Sequence, residues 1–93
     1  MTRIAETFAV LRARREVGLI PYITAGDPNL EVTFEIVQEL VRQGADIIEL
    51  GVPFSDPMAD GPTHQRAAER ALRSGTSLAR ILDMVQRLRQ SVS

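Results

Sequence analysis

Two short apolar runs separated by one amphipathic helix constrain the fold of this chain more than any other feature. The runs are LIPYIT (residues 19–24) and ADIIELGV (45–52). A helical crossover between consecutive strands joins them in parallel, and the connection is expected to be right-handed. Because both runs are apolar on both faces, they are typical of a parallel sheet that helices cover. The pattern therefore predicts an α/β protein.

Helix signals surround the two predicted strands. A leading helix is expected over residues 3–15 with Gly18 as its stop, and its apolar face holds Ile4, Phe8 and Leu11. The crossover helix, residues 30–43, begins after Asn29 as N-cap. Its predicted apolar stripe consists of Ile36, Val37, Leu40 and Val41.

Two more helices are predicted after the second strand. One covers residues 62–73, with Pro62 in its first turn and Gly75 beyond its end. The last is capped by Thr76 or Ser77, and its predicted stripe consists of Leu78, Ile81, Leu82, Val85 and Leu88.

A sheet of two parallel strands has two open edges and too little core to form a domain. The organisation therefore indicates the opening part of a larger α/β protein. We expect residues 1–93 to form one partial domain: a leading helix, a first βα unit over about 19–43, and a second unit with an extra helix over about 45–90.

Composition excludes several functions. The net charge of −1 does not favour nucleic-acid or anionic-membrane binding. All eleven basic residues are arginine, so Schiff-base lysine chemistry within this chain is excluded. The absence of cysteine excludes thiolate catalysis and disulfides and favours a cytosolic setting. No apolar run approaches the ~18 residues of a membrane span, and we expect no signal peptide.

Glu49 is the unusual residue of the second strand. Alternation places it with Ile47 on one face, near the C-terminal strand end where parallel α/β folds collect their chemistry. A carboxylate among apolar residues suits a general acid or base. The alternative is a structural glutamate paired with an arginine or a backbone amide, and position alone does not decide between them.

Asp56 and Asp60 lie in the loop VPFSDPMADGP. Asp-Pro and Asp-Gly form turns, and Asp60 could also cap the helix that starts at Pro62. The loop lacks the ligand spacing of a calcium site, so a metal role is disfavoured.

His64, the only histidine, lies in the first turn of the following helix. It either faces the same cleft as the loop or packs on the surface. Tyr22 and Thr24 share one face of the first strand, and they line a pocket or belong to core and cap.

The strings IELGVPFSDPMADGPT (48–63) and PYITAGDPN (21–29) resemble the signature of the tryptophan synthase alpha chain family, and the resemblance runs from about residue 20 to 88. It implies a (β/α)₈ TIM barrel preceded by a helix across the barrel bottom. This chain would supply that helix, two of eight βα units and an extra helix.

The resemblance also implies an activity. The family are lyases of tryptophan biosynthesis that cleave indole-3-glycerol phosphate to indole and glyceraldehyde 3-phosphate in a retro-aldol sense. No metal or organic cofactor is expected in the alpha chain. The expected partner is a pyridoxal-phosphate beta chain in an α₂β₂ tetramer, in the cytoplasm, with neither nucleic acid nor membrane.

Site residues follow from the same resemblance. Glu49 matches the family's general acid–base. Asp60 matches the aspartate that accepts a hydrogen bond from the indole N–H, and the two carboxylates are expected in one cleft.

Tyr22 matches an aromatic wall of the indole pocket, and Thr24 is expected to line that pocket. His64 stands where an aliphatic residue is typical, so the polarity of the pocket could differ. Asp56 and Pro57 match the contact with the beta chain.

A complete barrel needs about 250 residues, and its phosphate-binding loops usually follow strands seven and eight. We therefore expect this chain to be a fragment that is inactive alone and is not a well-behaved monomer. The alternative is a non-catalytic quarter-barrel module for binding or assembly. Another phosphate-handling barrel enzyme would leave the long signature unexplained.

Overall fold

The computed structural model describes residues 2–54 and 61–92. Along these residues the elements are α1 (Arg3–Arg14), β1 (Tyr22–Thr24), α2 (Leu30–Arg42), β2 (Glu49–Gly51), α3 (Pro62–Arg73) and α4 (Leu78–Leu88). None of the helices in these two ranges is both long and apolar enough to cross a membrane.

The two strands pair side by side in parallel, as predicted. Tyr22 lies opposite Glu49, and Thr24 lies opposite Gly51. The strands are shorter than predicted, because Pro21 has no N–H to donate to a longer ladder. Single hydrogen bonds nevertheless continue the pairing: the Glu49 N–H donates to the Pro21 carbonyl at 3.0 Å, and the Ala25 N–H donates to the Gly51 carbonyl at 2.9 Å.

Short polar side chains fix the helix ends. The Asn29 side chain accepts a hydrogen bond from the Val32 N–H at 2.9 Å, as expected of the N-cap of α2. Of the two candidate caps of α4, Ser77 is the one used. The expected stop at Gly18 is wrong: α1 ends earlier, where Arg15 takes a left-handed conformation with φ of 57°.

One face of the sheet packs on α2 and α4. The core cluster of Val37, Met84 and Leu88 contacts the partly buried side chains of Ile23, Ile48 and Leu50. These three strand residues share one face because side chains alternate along a strand. We call this the helix-covered face, and we call the other side, which carries Tyr22, Thr24, Ile47, Glu49 and Gly51, the open face.

The buried helix stripes differ from the predicted ones. In α4, Ile81, Met84 and Leu88 are buried, whereas Leu78 and Leu82 are 56% and 59% exposed. Periodicity could not choose between the two overlapping stripes, because α4 has apolar side chains on both. Several other predicted stripe residues are exposed: Ile4, Phe8, Ile36 and Val41.

Candidate active site

The candidate site lies on the open face at the C-terminal ends of β1 and β2. The parallel register sets Tyr22 directly opposite Glu49, so the two side chains leave the same face of neighbouring strands. Strands in a sheet are about 4.8 Å apart, which brings a phenol and a carboxylate within reach of one small ligand. The structure thus brings together two of the residues that the sequence singled out.

His64 joins Tyr22 from a third element. It occupies the first turn of α3, and its ring meets the Tyr22 ring edge-on, with 5.1 Å between centroids and 70° between planes. T-shaped contacts of this kind are a favoured geometry for aromatic pairs. The structure places His64 beside Tyr22 and leaves it exposed, so its place in a cleft shared with the loop stays a prediction.

Gly51 makes room for the tyrosine. A Cβ added at Gly51 would lie 1.9 Å from the Tyr22 hydroxyl oxygen and 2.5 Å from the adjacent ring carbon. The Tyr22 ring therefore leans over Gly51, toward the C-terminal end of the sheet. Gly51 is not among the candidate residues that the sequence predicts. A glycine inside a strand signals that another group approaches its backbone closely, and that signal could have revealed it.

Thr24 is half-buried on the same face, opposite Gly51. It lies immediately before the loop that leads to α2, and its carbonyl accepts a hydrogen bond from the Asp27 N–H at 3.3 Å. Thr24 is therefore the last strand residue of the open face before the loop.

Glu49 is exposed in the structure. The expected apolar surroundings of its carboxylate are absent among the residues that the structure describes, because two strands leave the open face uncovered. An exposed carboxylate keeps its water shell, so this geometry does not show the desolvation that the sequence suggested.

Three predicted site residues lie outside the described residues: Asp56, Pro57 and Asp60. The expected shared cleft of Glu49 and Asp60 therefore stays a prediction. The cap position of α3 is Gly61, which leaves the alternative of Asp60 as N-cap without support.

Within residues 2–54 and 61–92, no three acidic, histidine or cysteine side chains come close enough together to hold a metal ion. A cavity of about 300 Å³ does exist on the helix-covered side, where its lining includes Val37, Ile48 and Leu88. It lies across the sheet from Glu49 and Tyr22, so it is not part of the candidate site.

The model of the family "Tryptophan synthase alpha chain" matches residues 8–93. The chain belongs to the tryptophan synthase alpha chain family. The alpha chain of Cupriavidus pinatubonensis is 58% identical over 91 residues, which cover 98% of this chain and 34% of that protein. The alpha chain of Gloeobacter violaceus is 62% identical over 86 residues, covering 92% of this chain and 31% of that protein.

Solved structures agree. The alpha subunit from Legionella pneumophila superposes with a TM-score of 0.94 at 51% identity, covering 97% of this chain and 34% of that one. Tryptophan synthase from M. tuberculosis in its aminoacrylate-bound form superposes with a TM-score of 0.84 at 41% identity. The match covers 91% of this chain and 35% of that one. The predicted fold is confirmed: these elements are the N-terminal part of a (β/α)₈ barrel. The chain spans about a third of the length of the curated relatives it matches.

Proposed function

We propose that this chain provides the acid–base end of a tryptophan synthase alpha active site, which cleaves indole-3-glycerol phosphate into indole and glyceraldehyde 3-phosphate. The observation that carries the proposal is the placement of Glu49 on the open face, directly opposite Tyr22, in a chain of this family. A carboxylate beside an aromatic wall can reach the edge of a flat ring that lies against that wall.

The proposed reaction has two proton transfers, both through Glu49. The Glu49 carboxyl group donates a proton to the indole carbon that carries the side chain, and the ring becomes a cationic electron sink. The carboxylate then removes the proton of the hydroxyl on the adjacent side-chain carbon. The carbon–carbon bond breaks, its electron pair returns to the ring, and the hydroxyl carbon becomes the aldehyde.

Asp60 is proposed to stabilise the intermediate. Protonation of the ring carbon places positive charge on the ring nitrogen, and a carboxylate that accepts the N–H hydrogen bond stabilises that charge. Tyr22, Thr24 and His64 are proposed to line the indole pocket, and the contact of Tyr22 with His64 supports that assignment.

Asp56 and Pro57 are proposed to lie at the contact with the beta chain. The family relationship is what supports a beta-chain partner. A cytoplasmic setting belongs to the same proposal and fits a chain without cysteine.

The test uses a chimera in which residues 1–93 replace the matching third of the Cupriavidus pinatubonensis alpha chain. We expect the chimera to release indole from indole-3-glycerol phosphate, because it restores the six missing βα units. The 93-residue chain alone should give background release. A chimera that folds, as judged by its circular dichroism and cooperative melting, but releases no indole would contradict the proposal. Turnover by the chain alone would contradict the need for the later loops.

A further inference from the structure

A bidentate ion pair connects the loop after β1 to α3. The Asp27 carboxylate accepts two hydrogen bonds from Arg70, from Nε at 2.7 Å and from Nη2 at 3.0 Å, one on each oxygen. This two-point geometry fixes the orientation of both planar groups, which a single contact cannot do. The Asp27 side chain is only 20% exposed and the Arg70 side chain 49%. The guanidinium of Arg70 is charged at ordinary pH in any case, and hydrogen bonding to Asp27 raises its pKa further.

The loop that carries Asp27 is held in place around Gly26. The Gly26 N–H donates to Thr33 Oγ1 at 2.9 Å, and the Gly26 carbonyl accepts from Ser74 Oγ at 3.2 Å. Gly26 has a φ of 93°, and an added Cβ would lie 1.9 Å from Thr76 Oγ1. Only glycine fits this position. The carboxylate of Asp27 therefore projects from a fixed backbone.

α3 packs through small side chains. Its buried residues are Ala67, Ala68 and Ala71, and a face of small side chains allows close approach but offers few interlocking groups. Its N-cap is Gly61, which has no side chain to anchor the first turn. Two side-chain contacts therefore tie α3 to the loop after β1: the bidentate pair of Arg70 with Asp27, and the bond from the Ser74 hydroxyl to the Gly26 carbonyl.

The two ends of this arrangement meet at the candidate site. Asp27 follows Thr24 by three residues, and Arg70 follows His64 by six residues on the same helix. A rotation of α3 that broke the pair would also swing the His64 ring away from Tyr22.

We propose that Arg70 is a positioning residue of the site: its two-point pair with Asp27 holds α3 so that His64 stays against Tyr22. Only the activity arm of the test rests on the proposed function. Half-exposed ion pairs contribute little to stability. The primary measurement is therefore the contact between the Tyr22 and His64 rings, not the free energy of unfolding.

The chain suits such a measurement because Tyr22 is its only tyrosine, His64 its only histidine, and tryptophan is absent. Nuclear Overhauser cross-peaks between the two rings report their contact directly. Arg70→Ala should abolish these cross-peaks while far-UV circular dichroism stays unchanged. Arg70→Lys should not restore them, since one ammonium cannot reproduce the planar fork. Arg73→Ala, which removes an exposed arginine from the last turn of the same helix, should leave them intact.

Cross-peaks that survive Arg70→Ala, or that are already absent in the unmodified chain, overturn the proposal. If Arg70→Ala unfolds the chain, Asp27→Asn decides instead, because it keeps one neutral acceptor but loses the charged two-point pair. Its cross-peaks should weaken or vanish, and intact ones overturn the proposal. In the chimera, Arg70→Ala should lower kcat/KM by about 10- to 100-fold, against an unchanged Arg73→Ala. If the 93-residue chain and its variants show the expected cross-peaks but the chimera is inactive, the result counts against the proposed function alone.

Discussion

The two faces of the sheet use the same strands for different purposes. On the helix-covered face, Ile23, Ile48 and Leu50 pack against the buried cluster of α2 and α4. On the open face, Tyr22 is 44% exposed and Glu49 is exposed as well. Alternation along three-residue strands is enough to separate the two roles. Residues that stabilise the unit and residues proposed to do its chemistry are therefore immediate neighbours in sequence.

The difference explains which residue types each face can hold. The helix-covered face needs apolar side chains, because any polar group there would lose its water without gaining a partner. The open face tolerates a carboxylate and a glycine, since α2 and α4 do not pack on it. Substitutions on the two faces should thus fail in different ways: those on the covered face unfold the unit, and those on the open face disturb the site.

The largest stability effect is expected at the centre of the helix-covered cluster. Met84 is 3% exposed, and Met84→Ala should lower the free energy of unfolding by about 2–5 kcal/mol. The control is Ile20→Ala, just before β1, where the side chain is 45% exposed. It should lower the free energy of unfolding by less than about 1 kcal/mol. Urea denaturation followed by far-UV circular dichroism, at one fixed protein concentration, measures both. Equal losses would show that the faces are not distinct.

Gly51→Ala should disturb the site more than the fold. The new methyl group would clash with the Tyr22 hydroxyl, and the ring can swing outward because the open face is uncovered. We expect a stability loss of about 1 kcal/mol, at the lower end for overpacking, and a clear change in the tyrosine bands of near-UV circular dichroism.

Gly61→Ala is the matched control, since an added Cβ there meets no atom of the described residues within 4 Å. It should leave the tyrosine bands unchanged. Unaltered tyrosine bands in Gly51→Ala would mean that the ring does not lie over this glycine.

The N-cap of α2 tests how firmly this helix covers the sheet. Asn29→Ala removes the side-chain acceptor of the Val32 N–H and should cost about 1 kcal/mol of unfolding free energy. Glu35→Ala, an exposed change in the same helix, should stay within about 0.5 kcal/mol. Chemical denaturation of the two variants side by side is the measurement, and a cost for Glu35→Ala as large as that of Asn29→Ala would argue against the cap.

The smallest effect is expected at the outer surface, where Arg87 bridges α4 to α2. Its contact with Glu31, at 3.2 Å, joins side chains that are 55% and 75% exposed, so Glu31→Ala should cost less than about 0.5 kcal/mol. Arg87→Ala should cost more, up to about 1 kcal/mol, because Arg87 also stacks over the Phe34 ring at 4.6 Å. Identical losses of unfolding free energy in the two variants would show that the stacking of Arg87 on Phe34 does not contribute to stability.

Much of this architecture could be predicted because its signals are local. Asn29 as a cap and Pro62 in the first turn of a helix each depend on a few neighbouring residues. The parallel pair follows from the order of elements. The choice between Met84 and Leu82 for the core did not follow, because both lie on apolar stripes of α4 and only packing against α2 selects one.

The site could be predicted only in part. Alternation and the family signature pointed to Tyr22 and Glu49, and the register of the strands pairs them. The exposure of Glu49 was not predicted, because burial depends on which elements cover the face. The Asp27–Arg70 pair joins residues 43 positions apart, and no local pattern announces a contact at that separation.

Turnover of Glu49→Gln in the chimera tests the central claim most directly, namely that the open face at the strand ends is the acid–base site. Glutamine keeps the size and polarity of the side chain but cannot donate and recover a proton. We expect indole release to fall by about 100- to 10,000-fold, with substrate binding largely intact. The matched control Glu35→Gln, on the exposed side of α2, should keep full activity. Near-normal indole release by the Glu49→Gln chimera would contradict the account.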